Sequence, residues 1–206
     1  MVKLGEMLAN LEMDELMEAV QKELDQGTDP VEILKDCEAG MVAVGEKFSA
    51  GDYFVSDLMM SGEMFKEVGE MLEPHLAGKT GESLGKVVLG TVEGDIHDIG
   101  KDLVYIMLKS GGFDVIDVGV DAKPEAFVDA LKESGAPVLA LSCLLTTCYD
   151  SILNTVKAVE AAGLRDKVKI VIGGGPTDES VVTYTGADAV GDDAQSAVRI
   201  CKEMMK

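Results

Sequence analysis

Five short apolar runs after residue 80 constrain the fold of this chain more than any other feature of its sequence. They occupy residues 87–89, 115–118, 138–141, 170–172 and 187–190. Stretches with helical spacing follow them at 99–110, 124–134, 149–162, 178–185 and 193–205. Short strands that alternate with helices predict a parallel sheet covered on both faces. Five such repeats are typical of a flavodoxin-like, Rossmann-type doubly wound domain with a five-stranded sheet.

The residues before position 80 follow helical spacing instead. Apolar residues recur on one face of each predicted segment, and Gly27, Gly51 and Pro74 are expected to end three of the helices. Asp29 and Pro30 form a start signal, because aspartate caps a helix and proline suits its first position. We therefore predict a four-helix bundle over residues 1–80, a linker near 76–85 and an α/β domain over residues 81–206.

Composition excludes several classes of function. The chain carries 38 acidic and 18 basic residues, a formal net charge of -20, which disfavours nucleic acid and anionic membrane surfaces. No apolar run approaches the roughly 20 residues that span a bilayer, and the N-terminus lacks a signal-peptide core. We expect a cytoplasmic protein. The four cysteines are scattered and form no zinc motif.

Ligands of doubly wound sheets bind beyond the carboxyl ends of the strands, so the loops there are the place to look for chemistry. The loop after the first strand contains His97, one of two histidines, with Asp95 two residues before it. Asp95 can accept a hydrogen bond from one ring nitrogen and leave the other free for a metal. Two residues do not complete a metal site, so the metal must bring its other ligands with it. His75 is assigned no function.

Two other interpretations do not fit the sequence. Gly94 and the pair Gly100-Lys101 resemble a phosphate-binding loop, but the spacing is one residue too long, and Asp102 replaces the magnesium-binding Ser or Thr. A response-regulator receiver would need an aspartate after the third strand, where this chain has Ser142.

The loops after the third and fourth strands are weak signals when each is taken alone. Ser142, Leu144 and Thr146 follow the third strand, where small and hydroxyl residues can line a groove or simply cap a helix. Gly173 and Gly174 follow the fourth, and glycines permit close backbone approach or a plain turn.

Together the three loops carry a specific resemblance. Asp95-x-His97-x-x-Gly100, Ser142-x-Leu144 and Gly173-Gly174 occur in order, each after the expected strand. This set resembles the cobalamin-binding domain of methionine synthase and the corrinoid proteins of methyltransferase systems. The segment 41–54 is similar to the signature of the helical cap domain in that family, so the resemblance covers nearly the whole chain.

The resemblance implies a role for each residue. His97 would be the lower axial ligand of cobalt, bound base-off and histidine-on, and Asp95 would hold its second nitrogen. The cobalamin contacts it implies in the α/β domain are Asp95, His97, Asp98, Ile99, Gly100, Ser142, Leu144, Thr146, Gly173 and Gly174. Gly100, Ser142 and Leu144 would admit the nucleotide tail, and the glycine pair would give the benzimidazole room.

The helical domain would cover the reactive face of the cofactor with apolar side chains. The candidates are Tyr53, Phe54, Leu58 and Met59, for most of which a place in the bundle core is the competing interpretation. The linker 78–85 would be a hinge that lets the cap move aside. One residue departs from the methionine synthase pattern, because Cys148 replaces a serine of its His–Asp–Ser relay, and a full proton relay is therefore in doubt.

The function that the resemblance implies is that of a non-catalytic methyl carrier with bound cobalamin (methylcobalamin or a related corrinoid). Its expected partners are a substrate-specific methyltransferase, a second methyltransferase acting on tetrahydrofolate or a thiol coenzyme, and a reductive activation protein. A cobalamin-binding mutase subunit and a cobalamin-based sensor stay open as alternatives. A flavodoxin-like electron carrier is disfavoured by Glu93, Asp95 and Asp98 in the first loop.

Overall fold

The structure is a computed structural model that describes residues 3–76 and 83–206. The chain divides into two compact units, Met1–Glu82 and Ser83–Lys206. The predicted domain boundary at 80/81 and most of the predicted linker and hinge lie outside the described residues. They remain predictions.

The first unit contains the four predicted helices. They are α1 (Leu4–Ala9), α2 (Met13–Asp25), α3 (Pro30–Ser49) and α4 (Val55–Leu76). Asp29 caps α3 as predicted, because its carboxylate accepts the amide of Val31 at 3.2 Å and Pro30 takes the first helical position. The α4 helix runs two residues beyond Pro74, its predicted end. A proline in the last turn removes a single hydrogen bond there, which a helix end tolerates.

Two glycines allow α1 and α3 to cross in backbone contact. A Cβ atom on Gly40 would lie 2.5 Å from the carbonyl oxygen of Gly5, and a Cβ on Gly5 would lie 2.3 Å from the carbonyl oxygen of Asp36. The amide of Leu4 also donates to the Asp36 carboxylate at 2.9 Å. Because backbone atoms cannot move aside as a flexible side chain can, this crossing tolerates only glycine at both positions.

We expect Gly40→Ala to lower the free energy of unfolding of the helical unit by about 1–3 kcal/mol, the range typical of overpacking. Gly69→Ala in α4 is the matched control, since no atom lies within 4 Å of a Cβ there. Alanine should raise helix stability at that position by as much as about 1 kcal/mol. Urea unfolding followed by far-ultraviolet circular dichroism measures both. Equal effects of the two substitutions would contradict the backbone contact.

The second unit has the predicted five-stranded parallel sheet. The strands are β1 (Lys86–Thr91), β2 (Asp114–Asp117), β3 (Val138–Ser142), β4 (Lys169–Gly173) and β5 (Ala189–Gly191). The helices that join and follow them are α5 (Ile99–Ser110), α6 (Pro124–Ser134), α7 (Tyr149–Ala161), α8 (Glu179–Thr185) and α9 (Ala194–Met204). The strand order is β2-β1-β3-β4-β5, which confirms the flavodoxin-like prediction.

The last strand begins two residues later than the apolar run suggested. Asp188 is not part of β5, because its carboxylate accepts the amide of Ile170 at 2.7 Å and binds Arg165 at 3.0 Å. Pairing with β4 therefore starts at Ala189, opposite Val171.

The strand order brings the carboxyl ends of β1, β3 and β4 side by side. Thr91 lies opposite Ser142, and Ser142 lies opposite Gly173. Both faces of the sheet are buried, and helices such as α6 contribute fully buried side chains, among them Phe127. Within residues 3–76 and 83–206, no helix is both long and apolar enough to cross a lipid bilayer.

Candidate functional site

His97 lies in the loop between β1 and α5, at the carboxyl edge of the sheet. The loop is anchored at its far end, because the buried hydroxyl of Thr91 donates to the carbonyl oxygen of His97 at 3.0 Å. The imidazole is 48% exposed, and its Nδ1 lies 2.7 Å from Oδ1 of Asp95. The side chain is thus held on one side and open to solvent on the other.

Asp95 joins two loops through a fully buried carboxylate. Its Oδ1 accepts the ring and the backbone amide of His97, at 2.7 and 3.0 Å. Its Oδ2 accepts the amides of Leu144 and Leu145, at 2.6 and 3.0 Å, from the loop after β3. The four N–H groups compensate for the loss of water around a buried charge.

The same contacts determine which nitrogen of His97 is free. Burial alone would raise the pKa of Asp95, but the hydrogen bonds from His97, Leu144 and Leu145 outweigh it and lower the pKa below the usual value. An ionised carboxylate can only accept, so Nδ1 of the imidazole carries the proton and donates it. In the neutral ring, Nε2 then keeps its lone pair, which is the form in which histidine binds a metal.

The ends of β3 and β4 form the other side of the site. Ser142 is half-buried between Thr91 and Gly173 on the neighbouring strands. Gly174 follows with φ +136°, and a Cβ there would lie 1.9 Å from the carbonyl oxygen of Cys143. This position therefore requires glycine twice, for its dihedral angle and for its contact.

Exposed apolar side chains lie in the His97 loop and in the loop after β3 that is bonded to it through Asp95. Ile96, Ile99, Leu144 and Leu145 are all exposed, Ile96 to 72%. A group of exposed apolar side chains in the loops at the carboxyl edge of a parallel sheet is typical of a ligand-binding surface. Thr146 is also exposed here, and it opens the single 3-10 turn that leads into α7.

The start of α5 has open space. The predicted contact residues Asp98 and Gly100 are both exposed, and Asp98 makes no side-chain cap for the helix. No atom lies within 4 Å of a Cβ placed on Gly100. The first turn of α5 therefore offers backbone amides and room for another group.

The four predicted residues of the helical unit differ in their surroundings. The Tyr53 hydroxyl donates to the carbonyl oxygen of Ala9 at 2.7 Å, and Lys47 binds the same oxygen at 2.7 Å, so both side chains close the end of α1. Leu58 is fully buried within this unit. Phe54 and Met59 are exposed, to 72% and 52%, and are free to contact another group.

The two cysteines near Asp95 are buried. Burial, and then the charge of Asp95, raises the pKa of Cys143 to about 12. Among the described residues, the thiol of Cys148 is not a hydrogen-bond donor to Asp95, and Thr147 Oγ1 lies 4.0 Å from its sulfur.

The structure adds residues that the sequence alone did not indicate. Leu145 donates to Asp95, and Thr91 holds the backbone of His97. Asp121, after β2, accepts the amide of Gly94 at 2.7 Å. The signal for Asp121 was its place beyond a strand end, in a turn that begins with Gly119.

The described residues do not form a complete protein metal site, because no three of their His, Cys, Asp or Glu side chains lie close enough together to hold an ion. His97 can therefore supply one ligand to a metal that other groups already surround.

Comparison with known proteins agrees with this chemistry. Residues 85–201 match the family model of a B12 binding domain, and residues 3–73 match a second model that is also described as a B12 binding domain. The fold is that of a cobalamin-binding protein, and its cofactor is a corrinoid.

Relatives place the chain more closely. A corrinoid protein of Desulfitobacterium hafniense is 39% identical over 93% of this chain and 91% of its own length. The trimethylamine corrinoid protein of Methanosarcina barkeri is 40% identical over 90% of this chain and 87% of its own. A chain of the methanol:cobalamin methyltransferase complex MtaBC from M. barkeri is 26% identical and has a TM-score of 0.86, over 98% of this chain and 78% of that one. This chain belongs to the family of corrinoid proteins of methyltransferase systems, as its motifs predicted.

We expect Asp95→Asn to lower the free energy of unfolding of the cofactor-free protein by about 1–3 kcal/mol at neutral pH, because an amide group cannot accept all four N–H bonds. A lowered pKa means that the unfolded chain takes up this proton more readily than the folded chain. The stabilising effect is therefore complete above the unfolded pKa of about 3.9 and is lost as pH falls through the folded pKa.

Urea unfolding of both proteins across acid and neutral pH measures this effect. The difference in unfolding free energy between wild type and Asp95→Asn should shrink as the solution becomes more acid. Asp129→Asn, at an exposed position of α6, is the control and should show no such trend. A difference for Asp95→Asn that is independent of pH would contradict the ionised, hydrogen-bonded carboxylate.

Proposed function

We propose that this protein is a methyl carrier that binds cobalamin base-off and histidine-on through Nε2 of His97. It would shuttle a methyl group from a substrate-specific methyltransferase to a second methyltransferase, which acts on tetrahydrofolate or a thiol coenzyme. The observation that carries the proposal is the hydrogen bond from Nδ1 of His97 to ionised Asp95, which leaves Nε2 exposed with its lone pair.

The residues present fit a corrinoid. The macrocycle brings four nitrogen ligands, so a protein that supplies one imidazole is sufficient. The exposed side chains of Ile96, Ile99, Leu144 and Leu145 suit its apolar edge. When bound, the cofactor supplies a cobalt centre that accepts a methyl group and passes it on.

The role of the Asp95–His97 pair is to control one proton. While Nε2 binds metal, the ring is neutral and Nδ1 donates to Asp95. A free Nε2 could instead hold a proton, and the adjacent carboxylate would stabilise that charge. Asp95 would thus be the hydrogen-bond partner of His97 both when Nε2 is a metal ligand and when it is protonated.

We assign the nucleotide tail to the space at the carboxyl edge. The uncapped first turn of α5 and the open space at Gly100 support this path. Ser142 and Leu144 would line it, with Thr146 beside them, and Gly173 and Gly174 would give the benzimidazole room. In the helical unit, the exposed Phe54 and Met59 are the stronger candidates for apolar cover, since Leu58 is buried and Tyr53 is hydrogen-bonded to Ala9.

The proposed partners follow from the relatives. Their names include a trimethylamine corrinoid protein and a methanol:cobalamin methyltransferase complex, which supports a partner methyltransferase specific for a small methylated substrate. A reductive activation protein would restore cofactor that has been oxidised.

Purified protein loaded with corrinoid should carry labelled methyl from trimethylamine to a thiol coenzyme when both methyltransferases are added. If carbon-skeleton rearrangement occurs with a mutase partner instead, the chain is a mutase subunit.

His97→Ala should abolish the visible bands of histidine-coordinated cobalt when the protein is mixed with methylcobalamin or hydroxocobalamin. The reason is that His97 is the proposed axial ligand and alanine has no donor atom. His75→Ala is the control, because His75 is the other histidine of the chain and lies in α4. Histidine-coordinated bands that persist in His97→Ala, or benzimidazole that stays bound in the wild type, would overturn the proposal.

Gly100→Ala tests the proposed path of the nucleotide tail, because it should weaken cobalamin binding without destabilising the cofactor-free protein. No protein atom lies near the added methyl group, so the cofactor-free variant should unfold at the wild-type urea concentration or slightly above it. Affinity for cobalamin should fall about tenfold, the result of an overpacked contact of roughly 1.4 kcal/mol.

Cobinamide, which lacks the nucleotide tail, is the matched ligand for this test. Its binding should be the same in Gly100→Ala and wild type when titrated by visible absorbance. Equal losses for cobalamin and cobinamide would place the tail elsewhere.

A further inference from the structure

The loop between β2 and α6 contains a second aspartate, Asp121, that contacts the loop between β1 and α5. The latter contains His97 and is called the histidine loop below. Asp121 lies outside the motif residues and 27 positions beyond Gly94. Its Oδ1 accepts the amide of Gly94 at 2.7 Å, and its own amide donates to the carbonyl oxygen of Asp95 at 2.9 Å. Asp121 accepts one bond and donates the other, so it holds the two-residue segment 94–95 at its first amide and at its last carbonyl group.

The segment that Asp121 holds is the one that aims the imidazole. Gly94 has φ +87°, so the loop turns sharply immediately before Asp95. The Asp95 carboxylate then binds Nδ1 of His97 at 2.7 Å. A shift of the Asp95 backbone would move its carboxylate away from Leu144 and Leu145 and change the direction of the ring.

The loop that carries Asp121 is itself tied down on both sides. The amide of Thr91 donates to Gly119 at 2.9 Å, and the amide of Ala122 donates to Thr91 at 3.0 Å. At the start of the loop, Asp117 accepts the amide of Gly119 at 2.8 Å and pairs with the buried Lys101 of α5. Asp121 is therefore a fixed support, not a mobile side chain that happens to reach Gly94.

The backbone of Asp121 has a conformation that few residues with a side chain adopt. Its φ is +50°, in the left-handed region that disfavours most residues with a side chain. Glycine would take this conformation without strain, and aspartate and asparagine tolerate it best among the others. Glycine, however, has no oxygen to accept the amide of Gly94. The hydrogen bond offsets the strain of a non-glycine residue here.

We infer that Asp121 is a positioning residue for the axial ligand. It holds the Asp95 backbone so that the imidazole would keep one direction with or without a metal at Nε2. The inference rests on the proposed histidine-on binding and extends it to a residue of a fourth loop, after β2. It assigns Asp121 no contact with the cofactor.

Three variants test this role. Asp121→Gly removes the acceptor and relieves the dihedral strain, so the loss of the bond is measured by itself. Asp121→Asn keeps an oxygen in the same place and tolerates the same φ, so it should rescue. Glu93→Gln, an exposed carboxylate of the histidine loop, controls for the removal of a nearby charge.

The readout is the ratio of histidine-coordinated to uncoordinated cobalt in the reduced, paramagnetic cobalamin form. Electron paramagnetic resonance of protein labelled with nitrogen-15 histidine gives this ratio. In Asp121→Gly the ratio should fall, by at most the roughly tenfold loss that follows removal of a direct outer partner of a metal ligand, because Asp121 acts through Asp95. Asp121→Asn and Glu93→Gln should stay close to wild type. Thermal unfolding of the cofactor-free proteins shows whether any variant is simply destabilised.

The possible results separate a failure of the proposed function from a failure of the role inferred for Asp121. If wild-type protein shows no histidine coordination, the proposed function is wrong and this inference falls with it. If wild type coordinates histidine and Asp121→Gly has the same ratio, or Asp121→Asn is equally impaired, only the role of Asp121 is wrong. Should Asp121→Gly not fold, hydrogen exchange in the wild-type protein decides. Unprotected amides at Gly94 and Asp121 would overturn the inference, whereas protected amides together with the Asp121→Asn rescue support it.

Discussion

A single buried carboxylate organises the site of this corrinoid protein. Asp95 has no solvent contact, yet it stays ionised because four N–H groups from two loops point at it. If one of those donors moved, the buried charge would lose its compensation, which costs far more than a surface hydrogen bond. The Asp95 carboxylate therefore holds the loops after β1 and β3 together, and its bond to Nδ1 orients the His97 ring.

The glycines of the chain serve two different purposes. Gly5 and Gly40 bring two helix backbones together in the helical unit, where a methyl group would collide with a carbonyl oxygen. Gly100 has empty space around it, so its lack of a side chain does nothing for the folded protein itself. The close contacts of Gly5 and Gly40 are therefore packing contacts, whereas the open space at Gly100 leaves room for another group at the start of α5.

Much of this could be predicted from the sequence. The apolar runs predicted the strands because fully buried parallel strands are continuously hydrophobic. Asp95 and His97 are two residues apart in sequence, so their contact is local. Asp121 could not be predicted, because its bond to Gly94 spans 27 residues and depends on a left-handed backbone. The late start of β5 depends on the bond from Ile170 to the Asp188 side chain, which no hydrophobic pattern records. Leu58 and Met59 look alike as sequence, and only packing separates the buried one from the exposed one.

The raised pKa of Cys143 has a consequence for a protein that carries an electrophilic group. With a pKa of about 12, on the order of one molecule in 10⁵ holds this sulfur as thiolate at neutral pH. A thiolate is the form that attacks alkylating groups, so in the proposed function the Cys143 sulfur would be a poor competitor for the methyl group. The buried charge of Asp95, which binds the imidazole, thus also helps to keep a neighbouring thiol in its unreactive, protonated form.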